Sequence, residues 1–433
     1  RPKVIASRAT VRKAPEQVNS LFLRRVSVFP PNGLDVEDDF FSVQRSVAEK
    51  PGRRYLGICA PGSARPAVLI RVYTALLTGA QALFERFGPA ADPWMTLVGY
   101  FNSLRELGGM RRLAEDDVQT RSFRVQMSRV ARPGLAQRSV KNVDELTSRV
   151  PNKDIPRKLD QLEIPFKGEH DAATGTYKVS WGKDEPRAMD VVLASNMLGV
   201  GVDVVRLGLM VVNGQPKSTA EYIQATSRVG RFFPGLVCTV LTWSRPRDLS
   251  HYETFEHYHA TFYKHVEAQS VTPFAPRALD RGLTGAMVGW LRLNFDEYNP
   301  NLGAGSLDSA TKPAIAAAKR VFAQRAGRVT DSKEVQRLAE DMVGQRCDEW
   351  VEEATRGGRR LGYEASRRPK AGGGDIAALL KKPGSQPWDE FTVPLSLREV
   401  EPGVRLVMDT DHLPEGPAWK PSPVGAKEEA ATP

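Results

Sequence analysis

The run MDVVLASNMLGVGVDV at residues 189–204 decides the fold. Met189 to Ala194 shows little alternation between apolar and polar positions, which fits a strand buried on both faces. Such strands belong to parallel sheets covered by helices on either side. Ser195-Asn196 closes the strand with polar groups, and in a parallel sheet ligands sit beyond the carboxyl ends of the strands. Gly199-Val-Gly201-Val-Asp203 follows. Its glycines allow close backbone approach to a phosphate, and Asp203 can accept a hydrogen bond from a hydroxyl or water. Standing alone, glycines before an aspartate also make ordinary turns.

Outward from this run, residues 51–245 repeat the order strand, loop, helix. Tyr55–Cys59 is a short apolar run ending in Ala-Pro-Gly, followed by a helical stretch with Val68, Val72, Ala75, Leu76 and Leu83. Met95–Tyr100 reads as a second strand, with Phe101-Asn102-Ser103 leading into the helix that starts at Leu104. A third strand precedes Thr147-Ser148-Arg149, a helix fits 154–163, and further strands fit 207–212 and 236–242. The alternation implies a largely parallel sheet with right-handed crossovers.

On either side the pattern changes. Lys3-Val-Ile-Ala6 reads as the end of a buried strand with no preceding sheet, so the chain is expected to open in mid-domain, with a Pro-Pro-Asn-Gly turn at 30–33 in a connector to residue 50. After Trp243, Tyr252, Phe255, His259, Phe262 and Val266 recur at helical spacing, and Val335, Leu338, Met342 and Val351 continue such a face. Arg367–Gly374 and Lys381–Pro387 read as linkers around one short helix, Phe391–Met408 alternates enough for one or two strands, and the Pro-, Ala- and Glu-rich end is a frayed tail. The expected division is 1–50, 51–245 and 246–433.

The composition excludes other classes. Over 433 residues, 41% hydrophobic and 26% charged residues fit a folded chain of two or three domains. No uninterrupted apolar run reaches membrane-spanning length and no signal peptide opens the chain, so a cytoplasmic protein is expected. Cys59, Cys238 and Cys347 lack any CxxC spacing, which indicates neither a disulfide framework nor a zinc site. The net charge of +10, from 61 Lys+Arg against 51 Asp+Glu, favours a polyanionic partner, although arginine spread over solvated faces would give the same total.

A second segment, EYIQATSRVGR at 221–231, sets Gln224 four residues before Arg228 and Arg231 three after it. Paired guanidinium groups suit a transferring phosphoryl group, being planar and permanently charged. Taken together, 194–204 and 221–231 resemble motifs V and VI of superfamily 2 helicases in order and spacing. Ser7-Arg-Ala-Thr10 resembles the Ser-Ala-Thr motif that ends the first RecA-like domain, while VGYFNS (98–103) and ELTSR (145–149) resemble motifs IV and IVa. More narrowly, GYFNSLRELGG, the TSR segment, SNMLGVGVDV and QATSRVGR resemble the helicase subunits of the DISARM phage-defence system, the DrmA family, over about residues 1–300.

The resemblance implies an α/β fold: a RecA-like parallel sheet with flanking helices, the second helicase domain, plus a mainly helical C-terminal accessory region. It implies that Gly199, Gly201 and Asp203 face ATP, that Gln224, Arg228 and the finger Arg231 are catalytic, and that Asn102, Ser103, Thr147, Ser148, Arg149, Ser195 and Asn196 hold DNA along one domain edge. Ser227 stands where many relatives have glycine. The implied partners are single-stranded DNA, a first RecA-like domain and a DrmB-type defence protein, and the implied cofactors are ATP and Mg²⁺.

This chain carries no GK[ST] loop and no carboxylate pair for Mg²⁺. In Gly214-Gln-Pro-Lys217-Ser-Thr219 no glycine precedes the lysine and Pro216 removes a donor, while Asp184-Glu185 runs into Pro186. The expectation is a C-terminal motor half, inactive alone, that supplies arginines to ATP held mainly by another domain. A DNA-binding scaffold without hydrolysis is the alternative. A metal-dependent nuclease lacks clustered carboxylates with histidines, and His251, His257, His259 and His265 lack i, i+4 metal spacing, so a packing role is expected for them, as for Phe255, Phe262 and Tyr263.

Overall fold

The computed structural model describes residues 3–7, 10–31, 33–35, 37–127, 134–147, 150, 153–183, 185–196, 203–268, 271–309, 312–356, 360–365, 376–382 and 388–394. The chain forms two compact units, residues 1–13 with 28–269, and residues 14–27 with 270–433.

The first unit is built on β1 (Arg53–Cys59), β2 (Leu97–Phe101), β3 (Val143–Leu146), β6 (Val191–Ala194), β7 (Leu209–Asn213) and β8 (Gly235–Leu241), with β4 (Gly168–Asp171) and β5 (Thr176–Val179) forming a separate antiparallel hairpin. The six-stranded sheet has the order β1-β8-β7-β2-β6-β3, and every pairing in it is parallel. The reading of residues 189–194 as doubly buried is borne out: β2, β6 and β7 are buried at every position. Period-two geometry divides their side chains between two cores. Leu97, Phe101, Val191, Leu193, Leu209 and Val211 pack with the helices Arg65–Phe87 and Leu104–Leu113. Val98, Tyr100, Val192, Met210 and Val212 pack on the other face with Leu162, Tyr222 and Tyr258. Each such aliphatic side chain contributes about 1.5–3 kcal/mol by leaving water.

The helical stretch Arg65–Met95 is long and apolar enough to span a membrane by length and composition, yet Leu69, Tyr73, Leu77 and Phe84 on it are packed in the core. Gly99 permits that packing, since a Cβ there would lie 2.1 Å from the Tyr73 hydroxyl.

Two local expectations are corrected. One helix was expected through 252–266; the chain instead makes Pro246–Glu253 and Phe255–Ala260, broken at Thr254, then a 3₁₀ turn at Phe262–His265. Tyr258, Phe262 and Val266 pack onto Tyr222, Ala220 and Ile223, so 246–269 belongs with the sheet rather than beyond a boundary at 245. The hairpin β4–β5 went unread because its strands are four residues each and largely polar.

The second unit is mainly helical. Pro276–Asn294, Pro313–Thr330 and Lys333–Thr355 enclose Met287, Leu291, Ile315, Val343, Cys347 and Trp350. Trp350 satisfies its buried indole by donating to the Ala304 carbonyl at 2.7 Å. Val335, Met342 and Val351 pack as read, but Leu338 is exposed and Ala339 and Val343 take the core. Where a short helix was expected between the linkers, β10 (Ile376–Ala378) pairs in parallel with β9 (Arg360–Gly362), and Leu379 is buried behind it. Of the alternating stretch 391–408, only 391–394 is described, with Thr392 bridged to Lys381.

Candidate functional site

Because all six strands run one way, position along the chain sorts the candidate residues onto two edges. Asn102 and Ser103 follow β2, Thr147 follows β3, and Ser195 and Asn196 follow β6, so all five lie at the carboxyl edge. Asp203 precedes β7, and Arg228 and Arg231 precede β8, at the amino edge. The carboxyl-end rule that picks out Ser195 and Asn196 therefore does not extend to Asp203, Arg228 and Arg231. The edges are about 15 Å apart, the length of a five-residue strand.

At the amino edge Arg231 pairs through Nη1 with Asp203, and its Nε donates to the Ser227 carbonyl at 3.3 Å. Gly230 shapes this turn: its φ is +70°, and a Cβ would lie 2.7 Å from the Gly235 Cα. Its N–H donates to the Leu207 carbonyl at 2.8 Å, and Arg53 Nε holds the Val229 carbonyl at 2.8 Å. Arg228 is partly buried, and desolvation lowers its pKa below the ordinary arginine value, but a guanidinium stays charged at neutral pH. Gln224 donates from Nε2 to Thr10 Oγ1 at 2.9 Å, joining the segment read as motif VI to the Ser-Ala-Thr-like segment at 7–10. Gly199 and Gly201 lie outside the described residues.

At the carboxyl edge, Asn102 is exposed and its Nδ2 donates to the Gly214 carbonyl at 2.9 Å. Ser103 caps the next helix, its Oγ accepting from Glu106 N at 3.3 Å. Ser195 and Thr147 are covered, at 6% and 1% exposure, and Ser195 Oγ donates to Asn196 Oδ1 at 3.4 Å. Ser148 and Arg149 lie outside the described residues.

Arg65 is the residue of this edge that the sequence reading missed. Its Nε and Nη2 donate to Asn213 Oδ1 and the Asn213 carbonyl, each at 2.6 Å, and its Nη1 meets Glu106 at 3.0 Å. Its signal was available: it follows a strand and stands before the proline that opens a helix. The Gly214–Thr219 stretch makes no phosphate loop here. Gly214 turns at φ +76°, Arg247 binds the Gln215 and Pro216 carbonyls, and Ser218 caps the helix Thr219–Thr226.

Of the histidines, His251, His259 and His265 are partly covered and pack as expected, whereas His257 is exposed. His259 stacks against Phe255 at 4.0 Å and His265 against Tyr258 at 4.8 Å. Phe255 and Phe262 join this cluster, whereas Tyr263 is exposed. Glu185 pairs with Lys167 at 3.0 Å on the surface.

A family model described as the helicase conserved C-terminal domain matches residues 181–233, the span that carries Asp203, Gln224, Arg228 and Arg231. The chain resembles the C-terminal half of a superfamily 2 helicase. It is 46% identical over 310 residues to the DISARM protein DrmA of Bacillus paralicheniformis, a match covering 71% of this chain and 26% of that protein. The chain thus spans about a quarter of the curated relative. Among solved structures, it is similar to the helicase MrfA bound to DNA and AMPPNP (15% identity, TM-score 0.34, 54% of this chain and 26% of that one). It is likewise similar to Mycobacterium smegmatis helicase Lhr bound to ssDNA and AMP-PNP (15% identity, TM-score 0.34, 67% and 29%).

Proposed function

We propose that this chain is the C-terminal motor half of an ATP-dependent superfamily 2 DNA helicase or translocase working in DISARM-like anti-phage defence in the cytoplasm. The observation that carries the reading is the amino edge, where Arg231 and Asp203 pair beside Arg228 within the segment matched as a helicase C-terminal domain. Two guanidinium groups fit the phosphates of a nucleotide, and Asp203 fits a ribose hydroxyl. Mg²⁺ and most of the ATP would be held by a first RecA-like domain in a complete protein. The carboxyl edge, with Asn102, Ser103 and Asn196, would hold the backbone of single-stranded DNA through contacts that carry no sequence information. Similarity to DrmA supports a DrmB-type partner.

The experiment is ATP turnover by the complete protein with and without single-stranded DNA, beside the same assay on this chain alone. DNA-stimulated turnover by the complete protein and none by this chain is the expected result. No turnover with intact DNA binding would favour a scaffold that keeps the fold without the hydrolysis.

A further inference from the structure

The two candidate edges lie at opposite ends of the same strands, and one side-chain pair joins the elements that carry them. Tyr100 is the penultimate residue of β2, two before Asn102. Its ring is 1% exposed, packed among Val98, Val212, Tyr222 and Val229. A phenylalanine would fill that space equally well. The hydroxyl instead donates to Glu221 Oε1 at 2.6 Å.

Glu221 stands in the first turn of the helix Thr219–Thr226, which carries Gln224 and runs on to Arg228 and Arg231. Ser218 and Glu221 have capping-box spacing, and the serine half is made: Ser218 Oγ accepts from Glu221 N at 3.2 Å. The carboxylate, which in such a box turns back to the cap residue, receives the Tyr100 hydroxyl. A hydrogen bond to an ionised acceptor in a half-buried setting is stronger than a neutral one at the surface. Burial, reinforced by the Glu221 charge, pushes the phenol pKa up and keeps it a donor. The helix N-terminus is also tied to Glu267, 48 positions on, which accepts from Thr219 N at 2.9 and 3.0 Å.

We propose that the Tyr100–Glu221 hydrogen bond couples the two edges, with both side chains acting as positioning residues that make the placement of Arg228 and Arg231 depend on nucleic-acid engagement beside Asn102. The inference rests on the functional reading above. Tyr100 stands at the carboxyl end of β2, two residues before Asn102, so a shift of that end reaches the helix through this bond.

The test uses the complete protein with ATP and a mixed-sequence single-stranded oligodeoxynucleotide. Tyr100→Phe, Glu221→Gln and the double variant are compared with wild type by the ratio of DNA-saturated to DNA-free turnover. Each single variant is expected to lower that ratio about fivefold or more, and the double no further, because the two act as one link. DNA-free turnover and oligonucleotide affinity without nucleotide should stay within about twofold. An unchanged ratio in Tyr100→Phe overturns the inference. So does a parallel fall of DNA-free and DNA-saturated turnover with a lowered melting temperature, the mark of a purely structural bond. If Glu221→Gln does not fold, Tyr100→Phe, which removes one hydroxyl, decides alone. A wild-type protein without DNA stimulation overturns the functional reading and this inference with it, a result visible before any variant is made.

Discussion

Arg231 reaches back across the amino edge of the sheet to pair with Asp203, 28 positions earlier in the chain. The Asp203 side chain is 76% exposed and that of Arg231 30%, so water screens the pair and it contributes about 0–1 kcal/mol. On the proposed reading, a γ-phosphate with charge developing on its oxygens would compete easily for the same guanidinium. The pair therefore orients Arg231 without holding it back.

From this follows a prediction for the complete protein. Arg231→Ala should cut DNA-stimulated turnover about 10²-fold or more, since arginine fingers in nucleotide hydrolases contribute on the order of 10³ to 10⁵. Arg231→Lys should recover little, because an ammonium lacks the planar fork. Steady-state turnover beside nucleotide and single-strand affinities checks this; near-normal turnover in Arg231→Ala would move the role to Arg228.

At the other edge the exposed Asn102 and the covered Ser195 should behave differently. Asn102→Ala is expected to weaken single-strand binding about equally for all sequences, as loss of a backbone contact does. Ser195→Ala should have the smaller effect, because its side chain is covered and its hydroxyl donates to Asn196 Oδ1. Fluorescence anisotropy with several oligonucleotide sequences measures both, and a sequence-selective loss at Asn102 would mean base readout instead.

What was legible in the sequence follows from the range of the interactions. β6 and β7 declared themselves as uninterrupted apolar runs, and motifs V and VI through fixed spacing within short segments. The edge on which Asp203 and Arg231 lie was not legible from a strand-end rule, because they stand before strands rather than after them. Buried ion pairs were illegible for a different reason. Arg206 meets Asp92 from 114 positions away, and Arg138 meets Asp190 from 52, so no local pattern announces either.

The Arg206–Asp92 pair yields a stability prediction. Arg206 Nε and Nη2 donate to both Asp92 oxygens at 2.9 and 2.7 Å, Nη1 donates to the Leu162 carbonyl at 2.9 Å, and Asp92 also accepts from Phe166 N at 2.6 Å. Both residues are under a tenth exposed. Arg206→Met strands the Asp92 charge inside the sheet unit and should cost about 3–5 kcal/mol. Urea unfolding followed by circular dichroism reads the loss; a midpoint near wild type would contradict the buried, fully satisfied pair.

The last prediction concerns pH and His259. Nδ1 lies 2.7 Å from the Phe255 carbonyl, which can only accept, so that nitrogen carries the proton. Nε2, 3.2 Å from the Tyr222 hydroxyl, is then the acceptor of the neutral ring. Desolvation lowers the His259 pKa below the ordinary 6.5, an effect partly opposed by the Phe255 bond and aided by His251. His251 is lowered as well, chiefly by its own burial. A histidine whose folded pKa is depressed takes up its proton more readily when unfolded. Stability is therefore fully present above the unfolded value and falls as pH drops below about 6.5, levelling off beneath the folded pKa. Thermal melts of this chain between about pH 7.5 and 5 should show a declining melting temperature. In His259→Gln the decline should be shallower, since glutamine cannot take up the proton. An equal slope in wild type and variant would mean that His259 does not titrate in this window.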